Sequence, residues 1–162
     1  MASKSVICSL ARTPIGSLQG ILSSVSTVQL GATVIKAVIN RANINSKYID
    51  EVIMGNVLCA AEGQAPARQA SIYSGLPNSV ECLTINKVCG SGLKSIMLAD
   101  QSIRCGDSKI IIAGGMENMS QAPYYLIDAR DGMRLGNKEI TDAIIKDGLW
   151  AMNNEFMVII KK

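Results

Sequence analysis

The chain has 162 residues, of which 48% are hydrophobic and 18% charged, and its formal net charge is +3. This length suits one domain of ordinary size, and the composition excludes an intrinsically disordered chain. The lysines and arginines form no cluster, so we expect no nucleic-acid partner, because such binding needs clustered phosphate contacts. The sequence contains no histidine, which excludes any mechanism that takes an imidazole from this chain.

Cysteine spacing and hydropathy limit the setting of the chain. No two of the five cysteines are separated by only two residues, and without histidine this spacing disfavours a zinc site. The cysteine count is odd, and we expect no secretory leader. Both favour a reducing compartment. No apolar run approaches the roughly 20 residues of a membrane span. We therefore expect a cytoplasmic chain with no membrane partner, with a mitochondrial or peroxisomal location left open.

Short β-branched runs alternate with segments of helical period. Four runs predict strands, at residues 5–8, 51–57, 81–88 and 109–113. The last run has no polar alternation, which is typical of a parallel strand that is covered on both faces. Because right-handed crossovers join parallel strands, this order predicts an α/β fold whose mostly parallel sheet has helices on both faces.

Three helices are predicted between these strands. The first begins at Ser26, where Gln29 completes a capping box, and ends near Asn43. The second runs from Pro66 to Gly75, since proline is favoured in the first turn of a helix and glycine after the last. The third covers residues 90–104, and four of its residues are predicted to face the sheet: Leu93, Ile96, Met97 and Ile103.

The pattern changes after the fourth predicted strand. Asp131 and Gly132 form a dipeptide suited to a tight turn, which predicts a hairpin of residues 124–129 and 133–139. A helical piece at residues 141–146 follows, and residues 156–160 form an apolar, β-prone segment. We therefore predict an α/β domain at residues 1–119 and the beginning of an inserted subdomain at residues 120–162.

Cys89 is the strongest candidate for chemistry. It lies where the third predicted strand gives way to a helix, and ligands of open α/β sheets bind at this edge. Unpaired amides at a helix N-terminus favour an anion, and the thiolate of a cysteine, whose ordinary pKa is about 8.5, is its nucleophilic form. A free cysteine is most often a small buried residue. We keep that interpretation for the other four: Cys8, Cys59, Cys82 and Cys105.

The glycines around this cysteine exclude two other motifs. Gly90 and Gly92 remove side chains from the approach to the sulfur. They do not form a dinucleotide-binding fingerprint, because Ser95 stands where the third glycine belongs. They do not form a phosphate-binding loop either, since the Gly-Lys-Ser/Thr ending is missing.

Four segments resemble motifs of the thiolases, specifically acetyl-CoA acetyltransferases: residues 12–16, 63–70, 86–95 and 114–120. The resemblance extends to about Trp150 and implies the thiolase-like N-terminal half. In such enzymes the cysteine matching Cys89 takes the acyl group of acetyl-CoA, and its backbone N–H helps to hold the thioester oxygen. A second acetyl-CoA then loses a proton to another cysteine and attacks the acyl-enzyme, giving acetoacetyl-CoA and coenzyme A. The resemblance implies no other cofactor and no metal.

The resemblance also implies what this chain lacks. Thiolases have two similar halves, and their activating histidine, second cysteine and water-positioning asparagine come from the half that is not matched here. The last strand of the first half follows the loop domain in the family, so we expect its place to be empty. Family members usually have His-Met-Gly where this chain has Phe156, Met157 and Val158. We expect Met157 to line the pantetheine path, and this departure from the motif predicts a truncated, frameshifted or degenerate reading frame.

Partners and alternatives follow from the same resemblance. Full-length thiolases form homo-oligomers, dimers or tetramers, and the arm that makes tetramers corresponds to the hairpin predicted at Asp131. One alternative is a non-catalytic, truncated fragment that associates with full-length chains. Another is a condensing enzyme of fatty-acid synthesis, which the motifs at residues 63–70 and 114–120 disfavour. Structural roles are expected for six further residues, to hold loops (Arg12, Arg68), to pack beneath the nucleophile (Met116, Met119) or to orient backbone around it (Glu117, Asn118).

Overall fold

The computed structural model describes residues 4–151 and shows an α/β fold. Three helices accompany a three-stranded sheet, and a second, two-stranded sheet follows it. The element order confirms the predicted alternation from the first helix to the last strand of the main sheet. The elements are α1 (Thr27–Ala42), β1 (Glu51–Gly55), α2 (Pro66–Tyr73), β2 (Glu81–Ile85), α3 (Ser91–Cys105), β3 (Ile111–Gly115), β4 (Tyr124–Leu126) and β5 (Ile140–Asp142).

The main sheet is parallel, with strand order β2-β1-β3. Gly55 at the end of β1 lies opposite Ile85 of β2 and Gly115 of β3, so the three strands end level with one another. Their carboxyl ends therefore form one edge, from which the loops that follow all three strands emerge. In open α/β sheets this is the edge where ligands bind.

Helices cover both faces of this sheet, as predicted. Val52 and Met54 of β1 belong to a core cluster with Ile35 of α1 and Ala67 of α2. Neighbouring residues of a strand point to opposite faces, so Gly55 belongs to the other face, where it contacts α3. The helices α1 and α2 thus share one face of β1 and α3 takes the other.

The capping box predicted for α1 is confirmed. The Ser26 hydroxyl accepts from the Gln29 N–H at 3.2 Å, and the Gln29 side chain accepts from the Ser26 N–H at 3.2 Å. The two bonds satisfy amides that would otherwise lack partners at the helix start. Asn43, whose φ of 52° is left-handed, ends the helix.

The strand predicted at residues 5–8 is wrong. Nothing in this segment is extended and paired, and the Val6 and Ile7 side chains are 77% and 78% exposed. A strand requires a neighbour that satisfies its N–H and C=O groups, and none of the described strands lies beside this segment. Its β-branched residues gave a local signal without the long-range pairing that forms a strand.

The fourth predicted strand begins two residues later than expected. The Asp50 carboxylate accepts from the N–H groups of Lys109 at 2.7 Å and Ile110 at 2.9 Å, and β3 starts only after them, at Ile111. Asp50 therefore connects the entrance of β1 to the entrance of β3. The N–H groups of Lys109 and Ile110 donate to this carboxylate, and β3 begins only after them.

The hairpin predicted around Asp131 is also wrong. Tyr124 pairs with Asp142, so the second arm is β5 rather than residues 133–139, and the helical turn that follows spans Ile144–Leu149. A type I′ turn, the tight hairpin turn that Asp-Gly favours, needs positive φ at both of its central residues. Of Asp131 and Gly132 only Gly132 has one, and Asp131 closes a 3₁₀ turn. The division into domains at residues 1–119 and 120–162 stays a prediction.

Candidate active site

Cys89 lies on the loop that joins β2 to α3, at the carboxyl edge of the sheet. Its side chain is exposed, and Gly90 immediately precedes the first turn of α3. The residue before it, Val88, has a φ of 46°. Positive φ is uncommon outside glycine and asparagine. For a β-branched residue it costs about 1–3 kcal/mol, and it persists only where the surroundings enforce it. The nucleophile candidate is therefore preceded by strained backbone.

Ser91 holds this strained backbone. Its hydroxyl accepts from the Lys87 N–H at 2.8 Å and donates to the Val88 carbonyl at 2.7 Å, and the side chain is only 5% exposed. On the solvent side, the Asn86 amide oxygen accepts from the Val88 N–H at 2.8 Å. The N–H of Val88 is thus bonded to the Asn86 side chain in the loop, and its C=O to the Ser91 side chain at the start of α3. The loop keeps its conformation through these polar contacts.

The first turn of α3 is pressed against the ends of β1 and β3. A Cβ added at Gly55 would lie 2.6 Å from Ser91, and one added at Gly115 would lie 3.3 Å from Gly92. Only residues without side chains allow this approach. A Cβ added at Gly92 would lie 3.8 Å from the Gly115 nitrogen, an ordinary contact, so the close packing depends on the glycines at the strand ends. The expectation that Gly92 clears the way to the sulfur stays a prediction.

Small residues, not large ones, face the sheet from α3. The buried residues of the helix are Ser91, Ser95 and Ala99, which follow one another at intervals of four and so share one face. The prediction that its large apolar residues point inward is wrong for three of the four. The exposed fractions of these three are 67% for Leu93, 45% for Ile96 and 49% for Met97.

Glu117 braces the neighbouring loop. Its carboxylate accepts from the Asn56 side chain at 2.9 Å and from the N–H groups of Val57 at 2.8 Å and Leu58 at 3.2 Å. The Asn86 side chain donates in turn to the Val57 carbonyl at 3.4 Å. Glu117 therefore orients backbone next to the loop of Cys89 and reaches that loop only through Val57.

The other structural expectations divide. Arg68 donates to the carbonyls of Asn78 and Val80, both at 2.7 Å, which confirms that it holds a loop. Met116 packs against Gly31 of α1, on the sheet face opposite to α3, so it does not lie beneath the nucleophile. Two further expectations are wrong. Met119, expected to pack beneath the nucleophile, is exposed, and Asn118, expected to orient backbone around Cys89, donates instead to the carbonyls of Leu22, Ser23 and Val25.

Arg12 is exposed, and its expected role in holding a loop stays a prediction.

The other four cysteines are less buried than we expected. Cys8 and Cys105 are exposed, so that expectation is wrong for both, whereas Cys59 and Cys82 are partly buried. Burial raises the pKa of the Cys59 thiol, and the negative charges of Glu62 and Glu117 raise it further. Cys59 is thus held as a neutral thiol. Its sulfur lies 3.3 Å from the Asn56 side-chain oxygen.

The Cys89 side chain is exposed to solvent. A cavity of about 700 Å³ lies between α1, α2 and residues 60–62, and Cys89 is not among its lining residues. Within residues 4–151 no group of three acidic, cysteine or histidine residues is placed to hold a metal ion, and no helix is long and apolar enough to cross a membrane. Met157 lies outside the described residues. So do Phe156 and Val158, which stand where the family usually has the histidine and glycine of His-Met-Gly.

Comparison with known proteins decides the family. Residues 5–161 match the family model of the thiolase N-terminal domain. The chain belongs to the thiolase family. A probable acetyl-CoA acetyltransferase of Escherichia coli (strain K12) is 52% identical to this thiolase over 153 residues, which are 94% of the chain and 39% of the relative. A second relative from that organism, an acetyl-CoA acetyltransferase, is 59% identical over 145 residues, 89% of the chain and 37% of the relative.

A solved structure agrees with this assignment. The crystal structure of Acat5 thiolase from Ascaris suum in complex with coenzyme A superposes with a TM-score of 0.87 at 44% identity, covering 91% of this thiolase and 38% of that chain. The chain thus spans less than two fifths of the length of these relatives. The likeness confirms the expected thiolase-like N-terminal half.

The role of Ser91 in the site was not foreseen from the sequence. The signal that could have revealed it is the run of small residues Ser91, Ser95 and Ala99 at the spacing of one helix face. A helix that turns small residues to a sheet approaches it closely, and its first residues then lie beside the strand ends. The sequence pattern of large apolar residues drew attention to the opposite face.

Proposed function

We propose that this thiolase chain carries the acyl-accepting cysteine of an acetyl-CoA acetyltransferase and that Cys89 is that cysteine. The observation that carries the proposal is an exposed sulfur at the junction of a parallel strand and a helix N-terminus, on a loop fixed by hydrogen bonds. The amides of the first turn of α3 favour a thiolate there. The substrates proposed are acetyl-CoA, acetoacetyl-CoA and coenzyme A.

The first half-reaction needs only the sulfur and donors for the thioester oxygen. The thiolate of Cys89 attacks the carbonyl carbon of acetyl-CoA, a bond forms between that carbon and Sγ, and the bond to the sulfur of coenzyme A breaks. Coenzyme A leaves as a thiolate and takes a proton from solvent. The Cys89 N–H would be one donor to the developing oxyanion. This step needs no metal or other cofactor.

The second half-reaction needs a base as well. A second acetyl-CoA must lose an α-proton before its carbon attacks the acetyl group on Cys89, which releases acetoacetyl-CoA and restores the thiolate. The sequence has no histidine, and Cys59 is kept protonated by burial and by its acidic neighbours. We therefore expect the 162-residue chain alone to accept an acetyl group without condensing two.

Acetyl transfer can be tested by mass. The chain is incubated with acetyl-CoA, its intact mass is measured, and the modified residue is located by peptide mapping. We expect one acetyl group on Cys89 and none on the Cys89→Ser variant. An acetyl group on another cysteine, or no acetylation at a concentration well above that of the protein, would contradict the proposal.

The chain contains a matched comparison for the helix effect. Cys89 precedes α3 and Cys105 is its last residue, and both side chains are exposed. The helix dipole favours an anion at the first position and disfavours one at the second, each by about 0.3–1 kcal/mol. Because nucleophilicity falls as a thiol becomes more acidic, the difference predicts about two- to sevenfold faster alkylation of Cys89 by iodoacetamide near pH 7. Equal rates would remove the helix from the proposal.

A non-catalytic role as an associating fragment is the second candidate. Its support is the apolar surface that Leu93, Ile96 and Met97 form on α3. Exposed apolar surface of this kind favours association with another chain. The chain would then join thiolase chains in an oligomer without turnover. Size-exclusion chromatography with and without a full-length thiolase distinguishes the two roles, since a monomer that does not associate with that thiolase contradicts the second one.

For either role we propose a reducing compartment such as the cytoplasm.

A further inference from the structure

The backbone of Val88 is held in a conformation that valine avoids. Its φ is 46°, and 46% of its side chain is exposed, so apolar burial contributes little to keeping it there. Valine in this region brings its branched Cβ close to backbone atoms. A force other than packing must hold the residue in the left-handed region.

Hydrogen bonds to Ser91 supply that force. The Ser91 hydroxyl donates its proton to the Val88 carbonyl and accepts from the Lys87 N–H, so one buried side chain holds the peptide groups on both sides of the Lys87–Val88 peptide. The Ser91 N–H also donates to the Val88 carbonyl, at 3.1 Å. Ser91 itself packs closely against Gly55 and cannot move further toward β1. The hydrogen bonds of Ser91 therefore connect the loop of Cys89 to the end of β1.

We propose that Ser91 is a positioning residue for Cys89, and that its hydroxyl keeps Val88 left-handed so that the cysteine sulfur stays at the N-terminus of α3. The hydroxyl itself does not touch the acyl group. Without it, Val88 relaxes to negative φ, the peptide that joins it to Cys89 rotates, and the sulfur leaves the helix terminus. The thiolate then loses its stabilisation while the fold remains.

The chain offers a control on the same helix. Ser95 lies one turn further along and is fully buried. Its hydroxyl lies 2.6 Å from the Gly92 carbonyl and 2.8 Å from the Gly114 carbonyl, so its hydrogen bonds join α3 to β3 and do not go to residues 86–89. Ser91→Ala and Ser95→Ala both remove one buried hydroxyl from one face of α3. Only the first removes a bond to the loop of Cys89.

The test is the rate of alkylation of Cys89 by iodoacetamide across pH, divided by the rate of Cys105 in the same sample. Because Cys89 supplies only one of the two helix ends compared, we expect Ser91→Ala to lower this ratio about 1.5- to threefold near pH 7. Ser95→Ala should leave it within about 1.2-fold of the parent. An unchanged ratio in Ser91→Ala, or an equal fall in both variants, overturns the proposal.

Rescue tests the proposed route through Val88. Glycine adopts positive φ as readily as negative, so Val88→Gly should have little effect alone and should recover at least half of the lost ratio in the Ser91→Ala background. Additive effects in the double variant contradict the route. If Ser91→Ala does not fold, Ser91→Gly takes its place, because it removes the same hydroxyl and adds no bulk next to Gly55; an unchanged ratio there overturns the proposal. Iodoacetamide needs no acetyl transfer, so these outcomes are independent of the proposed function.

Discussion

Gly55 at the end of β1 and Ser91 at the start of α3 approach so closely that a Cβ on the glycine would lie 2.6 Å from the serine. Both the backbone and the side chain of Ser91 are at this distance, so a methyl group on Gly55 would meet both. The contact sets the height of α3 above the sheet edge. Since Cys89 lies two residues before Ser91, the same contact determines where the sulfur stands relative to the strand ends.

Gly55→Ala should therefore destabilise the chain. The added methyl group forces α3 away from β1, and overpacking of this kind costs about 1–3 kcal/mol. The free energy of unfolding in urea measures the loss. Gly114→Ala is the matched control, because a Cβ there would lie 3.6 Å from the Met54 sulfur, an ordinary contact. We expect the control to stay within about 0.5 kcal/mol of the parent. Equal stability of the two variants would contradict the close contact.

Glu117→Gln should destabilise the loop that follows β1. The carboxylate accepts three hydrogen bonds, and a glutamine would turn an N–H₂ group toward either Val57 or the Asn56 amide. Leaving a buried donor unsatisfied costs about 1–3 kcal/mol. Urea unfolding measures this loss. Glu139→Gln, at an exposed glutamate, serves as the control and should change little. A loss no larger than that of the control would show that the loop does not depend on Glu117.

Prediction from sequence succeeded where the deciding forces are local. The capping box of α1 and the position of Cys89 between strand and helix each depend on a few neighbouring residues. The orientation of α3 could not be predicted in the same way. Leu93, Ile96 and Met97 carry the pattern of a core-facing stripe, but the approach of α3 to Gly55 and Gly115, which lie far away in the sequence, leaves room only for small residues.

The left-handed conformation of Val88 was equally out of reach, since no local preference favours it. It results from the Ser91 hydroxyl, whose place is in turn determined by the packing of α3. The strand expected at residues 5–8 failed for a related reason, because a strand forms only beside a partner. Local pattern thus located the nucleophile candidate, whereas contacts between distant segments determined how it is held.

Asp50 should make the stability of the sheet depend on pH. The Ile110 and Lys109 amides that donate to it lower its pKa, so it ionises at lower pH in the folded chain than in the unfolded chain. Its contribution is fully present above the unfolded pKa of about 3.9 and is lost as pH falls through the folded value. Because the side chain is exposed, we expect only about 1 kcal/mol.

Asp50→Asn removes the charge and preserves the shape. We expect it to lower the free energy of unfolding near pH 7, and we expect the difference from the parent to shrink as the pH falls below about 4. Urea unfolding at several pH values measures both. Asp107→Asn, also exposed, is the control for the loss of one negative charge. A difference that stays constant with pH would mean that the Asp50 charge does not hold the two amides.

Tyr125 should ionise later than an ordinary tyrosine and should stabilise the β4–β5 region while it is neutral. Its hydroxyl donates to the Asp147 carboxylate, and this bond raises the pKa of Tyr125 to about 12, with smaller contributions from burial and from the Asp147 charge. A raised pKa means that the contribution is present below about pH 10 and lost as pH rises through about 12. Solvent exposure limits it to about 1 kcal/mol.

Absorbance titration of the four tyrosines can resolve this residue, because Tyr125→Phe should remove the component that ionises last. Asp147→Asn should keep that component but move it down in pH, toward the value of about 10 for a free phenol. Tyr124→Phe is the matched control: it removes the neighbouring ring on β4 and should leave the late component in place. If Asp147→Asn leaves the late midpoint where it was, the carboxylate is not its cause, and Tyr125 does not join β4 to the helical turn that follows β5.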